Sequence, residues 1–371
     1  MVNQERLVAE FLELIQIDSP SSKEGAVAKV LVEKLEKLGF DVSVDNAGIK
    51  SGGETGNVIA KLKGNRIGKT VLFSSHMDTV SPGEGIKPII DEVNGIIKSD
   101  GTTVLGSDDK AGIAAILEAM RIIKENNIAH GDIQIVFSIF EEGGMFGAKN
   151  LDYSNINADF AFVLDSGMSP GQIIVKAPAQ DKIEVKIKGK SAHAGVAPQE
   201  GISAAMIAAR AIEQMKLLRI DEETTANIGT INGGVASNIV MPELTILAEA
   251  RSLNNSKLDA QTEHMVDTFK ESAAEFGAEV EIETTRMYGA FIVDENDEII
   301  TILKKAFTNM GIEATITSTG GGSDTNILNA NGIKAVNLGI GMKKAHTLEE
   351  YIYIEDLINS ARMVVEIVKE A

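Results

Sequence analysis

Eight ionisable residues of metal-ligand type fall in one kind of place along this chain. His76 and Asp78 follow the apolar run Val71-Leu72-Phe73. Glu141 and Glu142 end the run 133–140, and Asp165 ends Ala161-Phe162-Val163-Leu164. His346 lies shortly after Val336-Asn337-Leu338, and Asp108 and Asp109 open a segment of helical spacing beginning at Lys110. Imidazole and carboxylate are ligands of divalent cations such as zinc, cobalt and manganese. The chain has no cysteine, which excludes thiolate ligands, thiol nucleophiles and disulfides. Each residue also has a plain reading. One histidine after a strand is an ordinary loop residue, and Asp108 and Asp109 are acceptable first-turn acids of a helix. The pair Glu141-Glu142 is harder to dismiss, because adjacent like charges at the end of an apolar strand are costly without a cation.

The elements around these residues decide whether they meet. Short β-branched runs at 58–60, 71–73, 133–139 and 161–164 alternate with helical spacing at 8–17 and 111–125. Ser21 with Glu24 reads as a capping box opening a helix that Gly39 stops. Such alternation predicts an α/β domain with a mostly parallel central sheet covered on both faces. In that architecture the carboxyl ends of the strands and the adjoining helix starts face one crevice. The eight residues therefore converge.

From residue 182 the pattern changes to period two, and one face of each strand is wet. Strand 182–188, helix 201–216, strands 226–232 and 244–251, helix 256–276 and strand 278–285 follow the β-α-β-β-α-β order of a ferredoxin-like α+β domain. The earlier pattern resumes with a strand at 335–338 and a last helix from 354. The expected organisation is a discontinuous metal-binding domain, 1–180 and 290–371, with 181–289 inserted as a lid or dimerisation domain.

The ordered stretches Ser74-Ser75-His76-Met77-Asp78-Thr79-Val80, Gly106-Ser107-Asp108-Asp109-Lys110-Ala111-Gly112, Glu141-Glu142-Gly143, Asp165-Ser166-Gly167 and Ser191-Ala192-His193-Ala194-Gly195 resemble the M20 metallopeptidases over essentially the whole chain. Within that family the Gly106-Ser107-Asp108-Asp109-Lys110-Ala111-Gly112 stretch makes the chain most similar to peptidase T and its relatives, the aminotripeptidases. The resemblance implies a zinc-peptidase-like catalytic domain with two Zn²⁺ ions, Co²⁺ or Mn²⁺ being compatible with the same ligands. It implies that Asp108 bridges the ions, that His76 and Asp165 complete one site, and that Glu142 and His346 complete the other. Asp78 would orient His76 through its second ring nitrogen, and Glu141 would be the general base toward an activated water. His193 would stabilise the tetrahedral oxyanion, in its own subunit or across a homodimer formed through the inserted domain. The expected reaction is release of the N-terminal residue of a tripeptide. Glu141–Gly147 departs from the usual wording of that motif in peptidase T, so carboxypeptidase and N-acyl amino acid deacylase readings stay open.

Three further positions are candidate substrate contacts: Asn238, Arg251 with its bidentate fork, and Gly322 in a glycine run that lets backbone approach a ligand. Gly167-Met168-Ser169-Pro170-Gly171 matches the serine-hydrolase elbow on paper, but no helix pattern follows it. His130 and His264 read as structural. A net charge of −19 argues against nucleic acid and anionic lipid as partners. Residues 1–16 lack the apolar run of a secretion signal, and no stretch approaches the ~20 apolar residues of a membrane span, so the cytoplasm is expected. A non-enzymatic metal-dependent binding protein is the remaining rival, and Glu141 beside a ligand argues against it.

Overall fold

In the computed structural model, which describes all 371 residues, the β-branched runs form the centre of a nine-stranded sheet. Ile133–Ser138, Val71–His76, Phe160–Ser166 and Ala335–Gly339 lie side by side and parallel. Antiparallel strands flank them: Val58–Leu62 and Asp41–Val44 on one side, Gln172–Ala177 on the other. Every residue of Val71–His76 and Ile133–Ser138 is buried, as a sheet covered on both faces requires. One face packs Leu72, Val136 and Val163 against Leu151 and Leu328. Helix Ser107–Glu125 covers the other face and packs in turn against Gln4–Ile15 and Ile354–Glu370.

The chain divides into two compact units. The first comprises Met1–Val175, Ile292–Ser318 and Ser323–Ala371; the second comprises Lys176–Phe291 and Thr319–Gly322. These boundaries differ by a few residues from the sequence expectation, and the short stretch containing Gly322 groups with the second unit. In that unit Ala179–Lys188, Thr224–Gly233, Glu243–Ser252 and Glu279–Tyr288 form an antiparallel sheet, with Glu243–Ser252 and Glu279–Tyr288 both pairing with Ala179–Lys188. Burial alternates strictly along Ala179–Lys188, so one face is wet and the other carries the core. Helices Ala204–Gln214 and Asn255–Glu275 contribute Ile207, Ala211, Met265 and Phe269 to a core with Ile183, Val185, Leu244 and Ile246. This is the ferredoxin-like order read from the sequence.

Two features depart from the sequence reading. Ser21 and Glu24 do not form a capping box: helix Gly25–Leu38 has no side-chain cap, and Ser21 donates instead to the Asp78 carboxylate. Pro88–Asp91, Ile96–Ser99, Met342–Lys343 and Tyr351–Tyr353 form a separate four-stranded sheet. These strands have two to four residues each, too few for a period to show. No helix is long and apolar enough to cross a membrane.

Candidate metal centre

The strand ends deliver the expected side chains to one place in the first unit. His76 is the last residue of its strand and is buried; its Nε2 lies 2.9 Å from Asp108 Oδ1 and 3.9 Å from Asp165 Oδ1. Asp165 sits one residue before the end of strand Phe160–Ser166 rather than after it. On the other side, His346 Nε2 lies 3.1 Å from Asp108 Oδ2 and 2.8 Å from Glu142 Oε1. The Asp108 carboxylate is thus divided, one oxygen toward each imidazole. Nitrogen–oxygen gaps of 2.8–3.1 Å are close to the ~3.3 Å edge of a tetrahedral shell with ~2.0 Å bonds.

Asp109 behaves differently from its neighbour. The Asp108–Asp109 peptide is cis, and neither residue has helical backbone angles, so the helical winding is interrupted between Ser107 and Lys110. Asp109 is fully buried, and its Oδ2 accepts from the His76 backbone N–H at 3.2 Å. Its carboxylate also comes within 4.8 Å of ligand atoms of His76 and Asp165, as those of Asp108 and Glu142 do of His76. Asp108 alone faces both rings.

Protonation follows this crowding. Burial works to raise Asp108, but hydrogen bonds with His346 and His76 outweigh it and hold this carboxyl well below the usual range. The same contacts with Asp108 and Glu142 raise His346 to about 10. Burial, reinforced by the Asp108 charge, pushes Asp165 well above the ordinary carboxylate value. Burial also pushes Glu141 up, with Asp324 and Glu142 adding to it against the opposing pull of His76. An array of buried acids that resists full ionisation, with two imidazoles turned toward it, is the donor set a divalent cation relieves.

The support of this array runs through Asp78, which lies against the second ring nitrogen of His76. His76 Nδ1 has the Asp78 main-chain carbonyl at 3.0 Å and the Asp78 carboxylate at 3.4 Å. The carboxylate of Asp78 also accepts from the backbone N–H groups of Glu141 at 2.8 Å and Glu142 at 3.2 Å, and from Ser21 Oγ at 2.6 Å. It holds the turn that presents both glutamates. That turn follows Phe140, whose φ is +48° and whose N–H donates to buried Glu24; the strand itself stops at Ser138.

Sequence reasoning missed several residues here. Lys110 is 1% exposed, and its Nζ donates to Ser19 and Thr79 hydroxyls at 2.8 and 2.7 Å. Burial lowers its pKa to about 8, against the opposing attraction of Asp78 and Asp109. Its signal was present: position 110 shares a helix face with Ile113, Ala114 and Leu117. Asn337 clamps the main chain of Asp165, its amide donating to the carbonyl at 2.8 Å and accepting from the N–H at 3.2 Å. Asp324 is buried, accepts from Ser138 Oγ at 2.5 Å, and is raised by burial to about 6.

The second unit holds the other expected residues. His193 is exposed and bridges to Ile239 next to Asn238, and its Nδ1 accepts from Gly195 N–H at 3.2 Å. Arg251 is not an open fork: Nε and one terminal nitrogen bind Glu249 at 2.9 and 3.1 Å, and the other terminal nitrogen donates to the Gly320 carbonyl at 3.3 Å. Gly322 packs against the Tyr288 ring, where an added Cβ would lie 2.4 Å from ring carbons. His130 contacts the Gly131 carbonyl, and His264 Nε2 accepts from the Lys216 N–H.

Comparison with known proteins places this geometry in a family. Over its full length the chain is 46% identical to the aminopeptidase PepT of Bacillus cereus, covering 99% of that chain with a TM-score of 0.92. It is 42% identical to a tripeptidase from Staphylococcus aureus, covering 100% of this chain and 98% of that one with a TM-score of 0.97. Peptidase T of Fusobacterium nucleatum is 29% identical over 95% of this chain and 91% of its own length. The model of peptidase family M20/M25/M40 matches residues 72–370, which span both units and every residue of the cluster around Asp108, and the chain belongs to that family.

Proposed function

We propose that the protein is a two-zinc aminopeptidase that removes the N-terminal residue of short peptides, tripeptides in particular. The observation that carries this reading is the division of the Asp108 carboxylate between His76 and His346. Asp165 lies on the His76 side and Glu142 on the His346 side, so two cations would share Asp108. Divalent ions held there supply Lewis acidity and lower the pKa of water. Co²⁺ and Mn²⁺ suit the same donors.

The rest is the work of this chain's own groups. The Glu141 carboxylate makes no hydrogen bond or ion pair of its own, while its backbone is fixed by Asp78. A carboxylate with raised pKa and free oxygens takes a proton from attacking water and returns it to the leaving amine nitrogen. For His193, acceptance of the Gly195 N–H at Nδ1 puts the ring proton on Nε2, the tautomer that donates to an oxyanion. Asn238, Arg251 and Gly322 remain the candidate substrate contacts. For Arg251, recognition of a carboxylate requires displacement of Glu249. A homodimer through the second unit is supported by strand Thr224–Gly233: its outer edge is paired over residues 224–226, and Ile231 beyond them is exposed. Sedimentation of the purified chain as a monomer would remove that element.

The deciding experiment compares a free tripeptide with its N-acetylated form. Cleavage of the free form alone, releasing its first residue, is expected. Preference for the blocked form would replace this reading with the deacylase or carboxypeptidase one. Zinc binding without hydrolysis of either would leave a metal-dependent binding protein.

A further inference from the structure

One acid outside the proposed ligand set is buried as deeply as any within it. Glu350 is 1% exposed and stands four residues after His346. Five donors converge on its carboxylate. Oε2 accepts from the N–H groups of Leu105 at 2.8 Å and Gly106 at 3.1 Å. Oε1 accepts from the N–H groups of Ser107 at 2.7 Å and Asp108 at 3.3 Å, and from the Ser107 hydroxyl at 2.5 Å. These amides belong to the turn that leads into helix Ser107–Glu125, and because Asp108 and Asp109 are not helical the turn's buried N–H groups need a partner from outside it. The residue at the cap position is Gly106, with no side chain to serve as a local cap. The cap comes from 242 residues away.

The other end of the connection is the His346 loop. Met342–Lys343 pairs with Tyr351–Tyr353 and fixes the base of this loop. Above the base, Lys344 and residues 346–349 are exposed, and Lys344 and His346 take left-handed φ values of 52° and 65°. Bonds inside the loop, such as Thr347 Oγ1 to the Lys344 carbonyl and Glu350 N–H to the Thr347 carbonyl, shape its curl but tie it to nothing else. Glu350 is the buried residue that joins it to the Leu105–Asp108 turn. Asp108 and His346, which face each other at 3.1 Å, are thus carried by segments joined through one carboxylate.

We propose that Glu350 is a positioning residue of the metal centre: it locks the His346 loop to the Asp108 turn, so that the His346 side of the site is formed before a cation arrives. This rests on the metal-binding reading given above. Glu350→Gln preserves shape but turns an amide NH₂ toward N–H donors at one of the two oxygens. Groups that orient ligands from outside the coordination shell change metal affinity roughly 10–100-fold when altered.

The test titrates metal-free wild type and Glu350→Gln with Zn²⁺ against a chromophoric chelator, and counts ions retained after desalting. Wild type should retain two ions. The variant should retain one as tightly as wild type and bind the other roughly 10–100-fold more weakly. Its metal-free melting temperature should change less than its zinc-bound one, which a merely structural acid would not produce. Equal affinity for both ions overturns this proposal alone. A wild-type chain that takes up no ion overturns the metal reading and this proposal with it. Should the variant not fold, hydrogen exchange on metal-free wild type decides. Protection of the Leu105–Asp108 amides without metal is expected, and free exchange there means that the cation makes the lock rather than the reverse.

Discussion

Asn337→Ala isolates the support of one candidate ligand. Strand Ala335–Gly339 slips register against Phe160–Ser166 between Asn337 and Gly339, so Asp165 has no residue opposite it on that side. On its other side the pairing with Val71–His76 ends at Val163. The Asn337 amide substitutes for a ladder: it bonds both main-chain groups of Asp165 and reaches Ser323 Oγ at 3.2 Å. Asn337 is buried, so alanine strands a backbone N–H and a carbonyl. Each such orphan costs ~1–3 kcal/mol. Water entering from the site recovers part of this, which leaves about 2–4 kcal/mol in the metal-free protein. For a unit of this size that is roughly 5–10 °C in melting temperature. Asn337→Asp separates geometry from packing: it keeps an acceptor for the Asp165 N–H but sets an acidic oxygen against the Asp165 carbonyl, and should not rescue. Calorimetry of metal-free protein gives the stability term, and chelator competition gives zinc affinity. A melting temperature within about a degree of wild type, with zinc affinity unchanged, would refute the clamp.

Prolonged chelation should abolish peptide hydrolysis and added Zn²⁺ should restore it; full activity in metal-free protein would end the mechanism. Glu141→Gln should keep both ions, measured by elemental analysis, and lose turnover by ~10²–10⁴-fold. Loss of an ion would mean that the roles of Glu141 and Glu142 are exchanged. His193→Ala should lower kcat by ~10²–10³-fold at constant metal content, and an unaltered rate would make it a plain loop residue. Ser21→Ala removes a hydrogen bond to a buried carboxylate, worth ~1.5–3 kcal/mol at neutral pH. Burial tends to raise Asp78, but bonds from His76, Ser21 and Glu141 N–H leave it below the ordinary value. The unfolded chain therefore binds the proton first as pH falls, and stability from Asp78 is lost as pH drops through its lowered folded value. The gap between wild type and Ser21→Ala should close in acid, and a gap constant in urea melts down to acid pH would count against this assignment.

The sequence showed the ligand-type residues for a reason that is itself structural. A strand buried on both faces is a continuous apolar run, so an ionisable residue at or just beyond its end stands out, as at His76, Asp165 and, three residues past its strand, Glu141. The period-two strands of the second unit were legible because one face is wet. Supports such as Asn337, Ser21 and Glu350 carry no such contrast. Each reaches its target across a long sequence separation: 172 residues for Asn337, 57 for Ser21 and up to 245 for Glu350. Local pattern even misled at Ser21 and Glu24, where the spacing of a capping box hides two side chains turned inward to Asp78 and Phe140.

The choice between Asp108 and Asp109 shows where sequence reasoning must stop. Both are acids at a helix start, and no spacing rule separates them. What separates them is where each carboxylate points. Asp109 turns toward the backbone of His76, on the same strand that supplies one ring. Asp108 turns between two rings that come from distant parts of the chain, His76 and His346. A residue that bridges must be held with respect to both. That requirement explains why the Asp108 backbone is anchored by an acid from the His346 loop rather than by a cap of its own helix. If that anchor were only a helix cap, Glu350→Gln would lower stability equally with and without zinc. If it sets the distance between the two halves, the loss should appear mainly in the zinc-bound state.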